Sequence, residues 1–408
     1  MVIYTICIGY IGLIHDIHSP YYYKYLNKYI KGGNVMHFKI SKKVFYESLD
    51  KVSRAISASS PIPALSGIKI TVFNDEVELI ASDSDMSIIK TIQTNDENNL
   101  QIFDEGSIVI EARYILDIVR KIDSNEIDVE IINDSLTQFS GRNTEFKING
   151  VKSTDYPLID FSKPSDEIKI NSSQLQQLII QTGFCASDRE NRPILTGVNI
   201  SCDDSKLTFA ATDSNRLARK YIEIECEDGI NFTIPATSLT KIARIIDKNI
   251  DISIAVSDKK VQFYFDDMII QNRLIDGIFP DTARFIPNEY QTVITIDSRD
   301  LLNAIDRASF IKSADGVSIV NFQISESQFI VSSQSQEVGS SVEEIANYKF
   351  NGNPIKISFS GKFLYDAIRA LEGPELIISF EGEMKPFVVR QTDNQSSTHL
   401  ILPVRTNY

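Results

Sequence analysis

Apolar residues recur at helical spacing in one stretch that the chain writes three times. Ile115, Val119 and Ile122 follow Glu111-Ala112-Arg113; Leu239, Ala243 and Ile246 follow Pro235-Ala236-Thr237; Leu364, Ile368 and Leu371 follow Ser360-Gly361-Lys362. Each copy holds an arginine in one register (Arg120, Arg244, Arg369) and closes on an acid (Asp123, Asp247, Glu372). Residues three and four apart share one face of a helix, so each copy predicts an amphipathic helix. The copies start 124 and 125 residues apart (Glu111, Pro235, Ser360). That period is too long for a solenoid and fits three domains of one design.

From Met36 on, each repeat begins with a short strand and an earlier helix behind a polar cap. Ser41 precedes Phe45, Leu49, Val52 and Ile56; Asn171-Ser172 precedes Leu175, Leu178 and Ile179; Asp297-Ser298 precedes Leu301, Ile305 and Ala308. Alternating positions, as in Ile127-Asp128-Val129-Glu130-Ile131 and Val261-Gln262-Phe263-Tyr264-Phe265, predict strands. The first two repeats share Pro63-Ala64-Leu65-Ser66-Gly67-Ile68 and Pro193-Ile194-Leu195-Thr196-Gly197-Val198, while the third keeps only Gly316-Val317. Ala81-Ser82-Asp83-Ser84 and Ala211-Thr212-Asp213-Ser214 also correspond, with Ser332-Ser333-Gln334-Ser335 a degraded third version.

The fold class is therefore α+β: three tandem similar domains, each with two helices packed on antiparallel sheet of about eight strands. Linkers at Phe161-Ser162-Lys163-Pro164-Ser165 and Ile286-Pro287-Asn288-Glu289 divide them as 36–164, 165–289 and 290–408. Two helices cover only one face of so much sheet. The remaining surface must be solvated, paired with another domain, or turned towards a ligand.

Residues 1–35 differ from the rest. They carry seven of the sixteen tyrosines, and the apolar run from Val2 to Ile14 is too short to span a bilayer and lacks the basic start of a secretory signal. This segment is expected to lie outside the native protein, with Met36 opening it; a weak membrane-surface anchor is the alternative. The full chain of 408 residues has a net charge of -14. Removing three lysines and one aspartate with the extension takes -14 to -16. Such acidity argues against gripping duplex DNA by neutralising phosphates.

The four cysteines, Cys7, Cys185, Cys202 and Cys226, have spacing that suggests neither a zinc site nor a disulfide framework, and a reducing compartment fits. Histidines occur only at His15, His18, His37 and His399. The interior thus lacks the commonest general base and metal ligand. No catalytic residue, metal or cofactor is assigned.

Ala211-Thr212-Asp213-Ser214-Asn215-Arg216-Leu217-Ala218, Asp276-Gly277-Ile278-Phe279-Pro280-Asp281 and the tail Leu400-Ile401-Leu402-Pro403-Val404-Arg405 together resemble the bacterial DNA polymerase III beta subunits, the sliding clamps. The resemblance covers residues 36–408. It implies a cytoplasmic, non-catalytic processivity factor of DNA replication: a head-to-tail homodimeric ring, helices lining the hole, around double-stranded DNA without sequence specificity. A closed ring holds DNA by topology, which reconciles DNA with an acidic chain.

The resemblance also implies residue roles. A groove between the second and third domains would take short, mostly apolar peptides of the polymerase III alpha subunit, the clamp loader, other polymerases and repair proteins. Its residues would be Leu195, Thr212, Ser214, Asn215, Arg216, Leu217, Pro280, Arg284, Phe285, Leu400, Leu402, Pro403, Val404 and Arg405, with Arg and hydroxyl groups orienting the peptide. Asn215 replaces a common histidine and Phe285 is bulkier than the usual aliphatic, so peptide preference could be shifted. Lys51, Arg54, Arg120, Arg189, Arg192, Arg244 and Arg369 would face DNA; ordinary solvated helix faces, with Arg120 and Arg369 paired to Asp117 and Asp366, are the alternative. Ser59 stands where a DNA-facing arginine is often found. Phe146 would meet Phe310 and Ile311 of a partner, or each is a core residue of its own domain.

Two other classes stay open on residues alone. An enzyme would rest on Asp83 or Asp213, whose repetition beside Ser and Thr fits loop-capping hydrogen bonds better. A tandem-domain protein-binding scaffold not linked to DNA is the other.

Overall fold

The computed structural model describes residues 35–57, 62–164, 166–225, 229–312 and 316–405. The extension ahead of Val35 and Ser59 lie outside these. Among the described residues the three repeats hold ten, eight and nine strands, and each holds two α-helices. The helices are α1 (Lys42–Ser53), α2 (Ala112–Lys121), α3 (Ser172–Thr182), α4 (Ala236–Ile245), α5 (Ser298–Ala308) and α6 (Gly361–Ala370). Within each repeat the two helices pack on one another.

The periodicity delivers these helices as expected. Phe45, Leu49 and Val52 are the buried stripe of α1, and Leu301, Ala304, Ile305 and Ala308 that of α5. Asn171 caps α3 by accepting from the Ser173 N–H at 3.0 Å, and Asp297 caps α5 through the Arg299 and Asp300 N–H groups at 2.9 and 3.0 Å. Ser41 makes no capping side-chain bond, and α1 stops before Ile56. Ile122, Ile246 and Leu371 fall just past their helix ends in extended conformation, yet remain buried.

The chain forms two compact units, one running to residue 165 and taking in Gln262–Asn272, the other holding Asp166–Val261 and everything from Arg273 on. The first unit contains a five-stranded sheet ordered Gln101–Asp104, His37–Ser41, Glu126–Asn133, Leu136–Ser140, Glu145–Asn149. It also contains a sheet built on Gly106–Glu111, Gly67–Val72, Glu76–Ser82 and Met86–Gln93, to which Met268–Arg273 adds an antiparallel strand, Met268 opposite Lys90 and Asn272 opposite Met86.

In the second unit, Arg216–Glu223 pairs with Ser397–Ile401, so one nine-stranded antiparallel sheet joins the second repeat to the third. A four-stranded sheet ends at the edge strand Gly339–Glu344. The core of the third repeat gathers α5 and α6 against these sheets around Phe322, Phe329, Phe359 and Phe387. Their rings meet edge to face, with centroids 4.7 to 5.1 Å apart.

The motif shared by the first two repeats has a steric cause. Pro63 and Pro193 each open a single 3₁₀ turn, and Ser66 and Thr196 donate back to their carbonyls at 2.7 Å. The following glycine starts a strand so close to its neighbour that a Cβ would come within 2.6 Å of Val109 Cγ1 at Gly67 and 2.5 Å of Thr233 Cγ2 at Gly197. Gly316 meets nothing within 4 Å and sits at φ +74°, ahead of the strand Ile319–Ile324, where Ile319 stands opposite Ser360 as Gly67 does Glu111 and Gly197 does Pro235; the close approach is absent from the third copy. Cys185 is free and buried, whereas Cys202 is disulfide-bonded, a pairing the spacing did not suggest.

Candidate functional site

Asp213 and Asp83 occupy the same turn in successive repeats. Asp213 Oδ1 accepts from the Asn215 and Arg216 N–H groups at 2.9 and 3.0 Å, and Asp83 Oδ1 from Asp85 and Met86 at 3.1 and 2.7 Å. The preceding hydroxyl completes the turn: Thr212 Oγ1 and Ser82 Oγ accept from Ser214 and Ser84, both at 3.1 Å. Ser214 and Ser84 have φ of +76° and +83°. These carboxylates hold loops. Among the described residues no group of three or more His, Cys, Asp or Glu could hold a metal ion.

Arg216 follows this turn, and its side chain is almost wholly buried. Nε donates to Asp213 Oδ2 at 3.0 Å, Nη1 to Asp366 Oδ2 at 2.7 Å and Nη2 to the Phe184 carbonyl at 2.9 Å. The rings of Phe184 and Phe363 flank the guanidinium at 5.4 and 4.6 Å. Burial works against its charge, but Cys185 and the Asp366 and Asp213 carboxylates together prevail and raise its pKa. Three of the five N–H groups of Arg216 donate to protein, so it is part of the wall behind the turn, with one N–H left on each of Nη1 and Nη2.

The other groove candidates divide by depth. Leu195, Leu217 and Leu400 are buried, and Leu217 and Leu400 form a cluster with Val388, with Ile286 and Tyr290 packed against it. These leucines lie deeper than the exposed candidates. Thr212 is buried too, its hydroxyl donating to the Arg216 carbonyl at 2.6 Å. Ser214, Asn215, Arg284, Phe285, Leu402, Val404 and Arg405 are exposed, and Pro280 and Pro403 half-buried. Arg284 pairs with Asp281 at 2.7 Å.

The tail is docked. The Leu402 N–H donates to the Asn215 carbonyl at 3.0 Å and the Val404 N–H to the Ser358 carbonyl at 2.7 Å. Asn215 and Val404 open onto a cavity of about 990 Å³ whose apolar walls include Phe363, Tyr365 and Phe310. The sequence did not single out Phe184, Phe363 or Tyr365, and it offered Asp366 only as a neighbour of Arg369.

Arg120, Arg244 and Arg369 are each the ninth residue of their helices and all three are exposed. Arg120 pairs with Asp117 at 2.5 Å, as the solvated-face alternative holds, but Arg369 lies over the Tyr365 ring at 5.8 Å while Asp366 is taken by Arg216 and Lys362. Arg244 makes no ion pair among the described residues. Arg54 pairs with Asp50 at 3.0 Å, Lys51 is half-buried, and Arg189 and Arg192 are exposed on their loop. Phe310 is 79% exposed at the end of α5, which removes the core alternative for it. Ile311 beside it is half-buried, as is Phe146 on the edge strand Glu145–Asn149.

His399 is a further buried ionisable group of this region. Its Nε2 lies 3.0 Å from the Gln181 carbonyl, and its ring meets Phe184 edge to face at 5.4 Å. Burial pushes its pKa down to about 4, with the Lys220 and Arg216 cations adding to the effect.

Three α+β repeats, a docked tail beside an apolar cavity, and an exposed arginine at one helix register in all three define a tandem-domain clamp. Family models for the N-terminal, central and C-terminal domains of the DNA polymerase III beta subunit match residues 36–160, 169–281 and 283–405. The chain belongs to the DNA polymerase III beta subunit family, the sliding clamps, which are non-catalytic processivity subunits of DNA replication. It is similar to the beta sliding clamp of Bacillus subtilis (strain 168), 37% identical over 377 residues that span 91% of this chain and 100% of that protein. A Staphylococcus epidermidis beta sliding clamp is 35% identical over 376 residues, with the same coverage. The crystal structure of the Bacillus subtilis sliding clamp matches with a TM-score of 0.87 and 36% identity, covering 91% of this chain and 99% of that one. The DNA polymerase III beta chain of Streptococcus pneumoniae TIGR4 matches with a TM-score of 0.88 and 31% identity, covering 91% and 100%. No helix among the described residues is long and apolar enough to cross a membrane.

Proposed function

We propose that two copies of this chain close head to tail into a ring around duplex DNA in the cytoplasm, and that the ring tethers the replicative polymerase. The observation that carries this is the match of all three repeats, in order, to the sliding-clamp family. A net charge of -14 is compatible with it, because an encircled duplex is retained without strong phosphate contacts. The shared register of Arg120, Arg244 and Arg369 supports a mildly cationic lining.

Phe310 supports the closure. An aromatic 79% exposed at a helix end is costly to leave in water, and the edge strands Glu145–Asn149 and Gly339–Glu344 each offer unpaired backbone to another chain. Phe146 on the first and Val342, 72% exposed, on the second would supply apolar contact across the join.

The polymerase III alpha subunit, the clamp loader, other polymerases and repair proteins would dock through short apolar peptides. Phe285, Leu402 and Val404 are the exposed apolar surface for such anchors, with Leu195, Leu217 and Leu400 deeper. Loading on nicked circular DNA tests the whole assignment. Protein retained on the circle should be released when the DNA is linearised; no retention on either form would favour a scaffold not linked to DNA, and retention on both would overturn the ring.

A further inference from the structure

We propose, given the groove assigned above, that Asp366 is a positioning residue for peptide binding: through Arg216 it locks α6 of the third repeat to the groove lip of the second. The polar partners of Asp366 are Arg216 and Lys362, neither of them an exposed apolar groove residue. Its Oδ2 accepts from Arg216 Nη1 at 2.7 Å across 150 residues of sequence. The same guanidinium donates to Asp213 Oδ2, and the other oxygen of Asp213 holds the N–H groups of Asn215 and Arg216. The carbonyl of Asn215 then accepts the Leu402 N–H. One hydrogen-bonded line therefore runs from α6 through two carboxylates and one arginine to the turn and the tail, two of the three backbone segments that carry exposed groove residues.

The charge balance makes this line sensitive to one substitution. Asp213 and Asp366 face Arg216 and Lys362, two against two. Arg216 is 7% exposed, so losing Asp366 leaves a buried cation with one carboxylate and an unanswered N–H. Lys362 is different, because its ammonium shares Asp366 Oδ2 at 2.6 Å from an exposed position, and water replaces that bond readily. Arg216 has no such substitute between the Phe184 and Phe363 rings.

The test uses the full chain and a fluorescein-labelled hexapeptide with two leucines and one phenylalanine, titrated by anisotropy well below each variant's thermal midpoint. Asp366→Asn should weaken the peptide about tenfold, Asp366→Glu should recover most of that loss, and Lys362→Ala should change it less than twofold. Hydrogen exchange of the free proteins gives a second readout: in Asp366→Asn the amides of Asn215, Arg216 and Leu402 should exchange faster together. Wild-type affinity in fully folded Asp366→Asn would overturn the proposal, as would faster exchange confined to α6. If the wild-type protein does not bind the peptide, the groove assignment itself fails, and the exchange result still decides whether the lock exists.

Discussion

Leu217 and Leu400 stand directly opposite one another on antiparallel strands, where the second repeat is hydrogen-bonded to the third. Each is 3% exposed, and with Val388 they form a small apolar cluster. Leu400→Ala should therefore cost about 2–5 kcal/mol, the range for emptying a buried leucine site. Urea unfolding followed by circular dichroism measures it; a loss below about 1 kcal/mol would mean the strands close over the gap.

Phe285 and Leu402 contrast with that pair. At 53% and 38% exposed they contribute little to folding, so alanine at either position should move stability by no more than about 0.5 kcal/mol. Peptide affinity should fall by tenfold or more, as it does for aromatic and aliphatic anchors at the centre of an interface. Unchanged affinity in both variants would remove them from the groove.

Phe310→Asp should leave the monomer folded and abolish the dimer, since the side chain it replaces is mostly in water within one chain. Sedimentation velocity at micromolar concentration distinguishes the two masses. A Phe310→Asp protein that still sediments as a dimer places the join elsewhere.

Acid should destabilise the fold through His399. The unfolded imidazole titrates near the ordinary value of 6.5, while the folded one is pushed down to about 4 by burial. The folded-state value is the lower one, so between the two the unfolded chain binds more protons. The stability is complete above pH 6.5 and is lost as pH falls from there towards 4, by roughly 3 kcal/mol in all. Unfolding free energies measured across that window should slope less in His399→Phe than in the wild type; parallel curves would exclude His399 as the cause.

Arg244→Ala tests the lining. It should leave stability within about 0.5 kcal/mol and lower the salt dependence of binding to short linear duplex by about one phosphate contact. An unaltered salt slope would show that this register faces solvent and not DNA.

What the sequence disclosed was local. The stripes of α1 and α5, the caps at Asn171 and Asp297 and the matched turns at Asp83 and Asp213 all depend on residues within a few positions of one another. Arg216 shows where locality ends. Its three partners come from Asp213, Phe184 and Asp366, and nothing in the pattern around it foretells the last two. Asp366 had a nearer candidate in Arg369, three residues on, yet the fold gives it to Arg216 and Lys362. Burial was likewise invisible: the resemblance names Leu195, Leu217 and Leu400 beside exposed Leu402 without separating them by depth, and for Leu217 and Leu400 it is sheet pairing that decides which face of the strand is covered.

The strand Met268–Arg273 belongs by sequence to the second repeat and by packing to the first unit, where it zips onto Met86–Gln93. Severing the chain near residue 165 would therefore uncover one edge of it, leaving it in a hairpin with Lys260–Phe265 alone. A fragment beginning at Asp166 would carry a bare, apolar ribbon including Met268 and Ile270, both buried in the intact molecule, and such a ribbon is a seed for aggregation. Dissection of this protein has to keep that hairpin with its host.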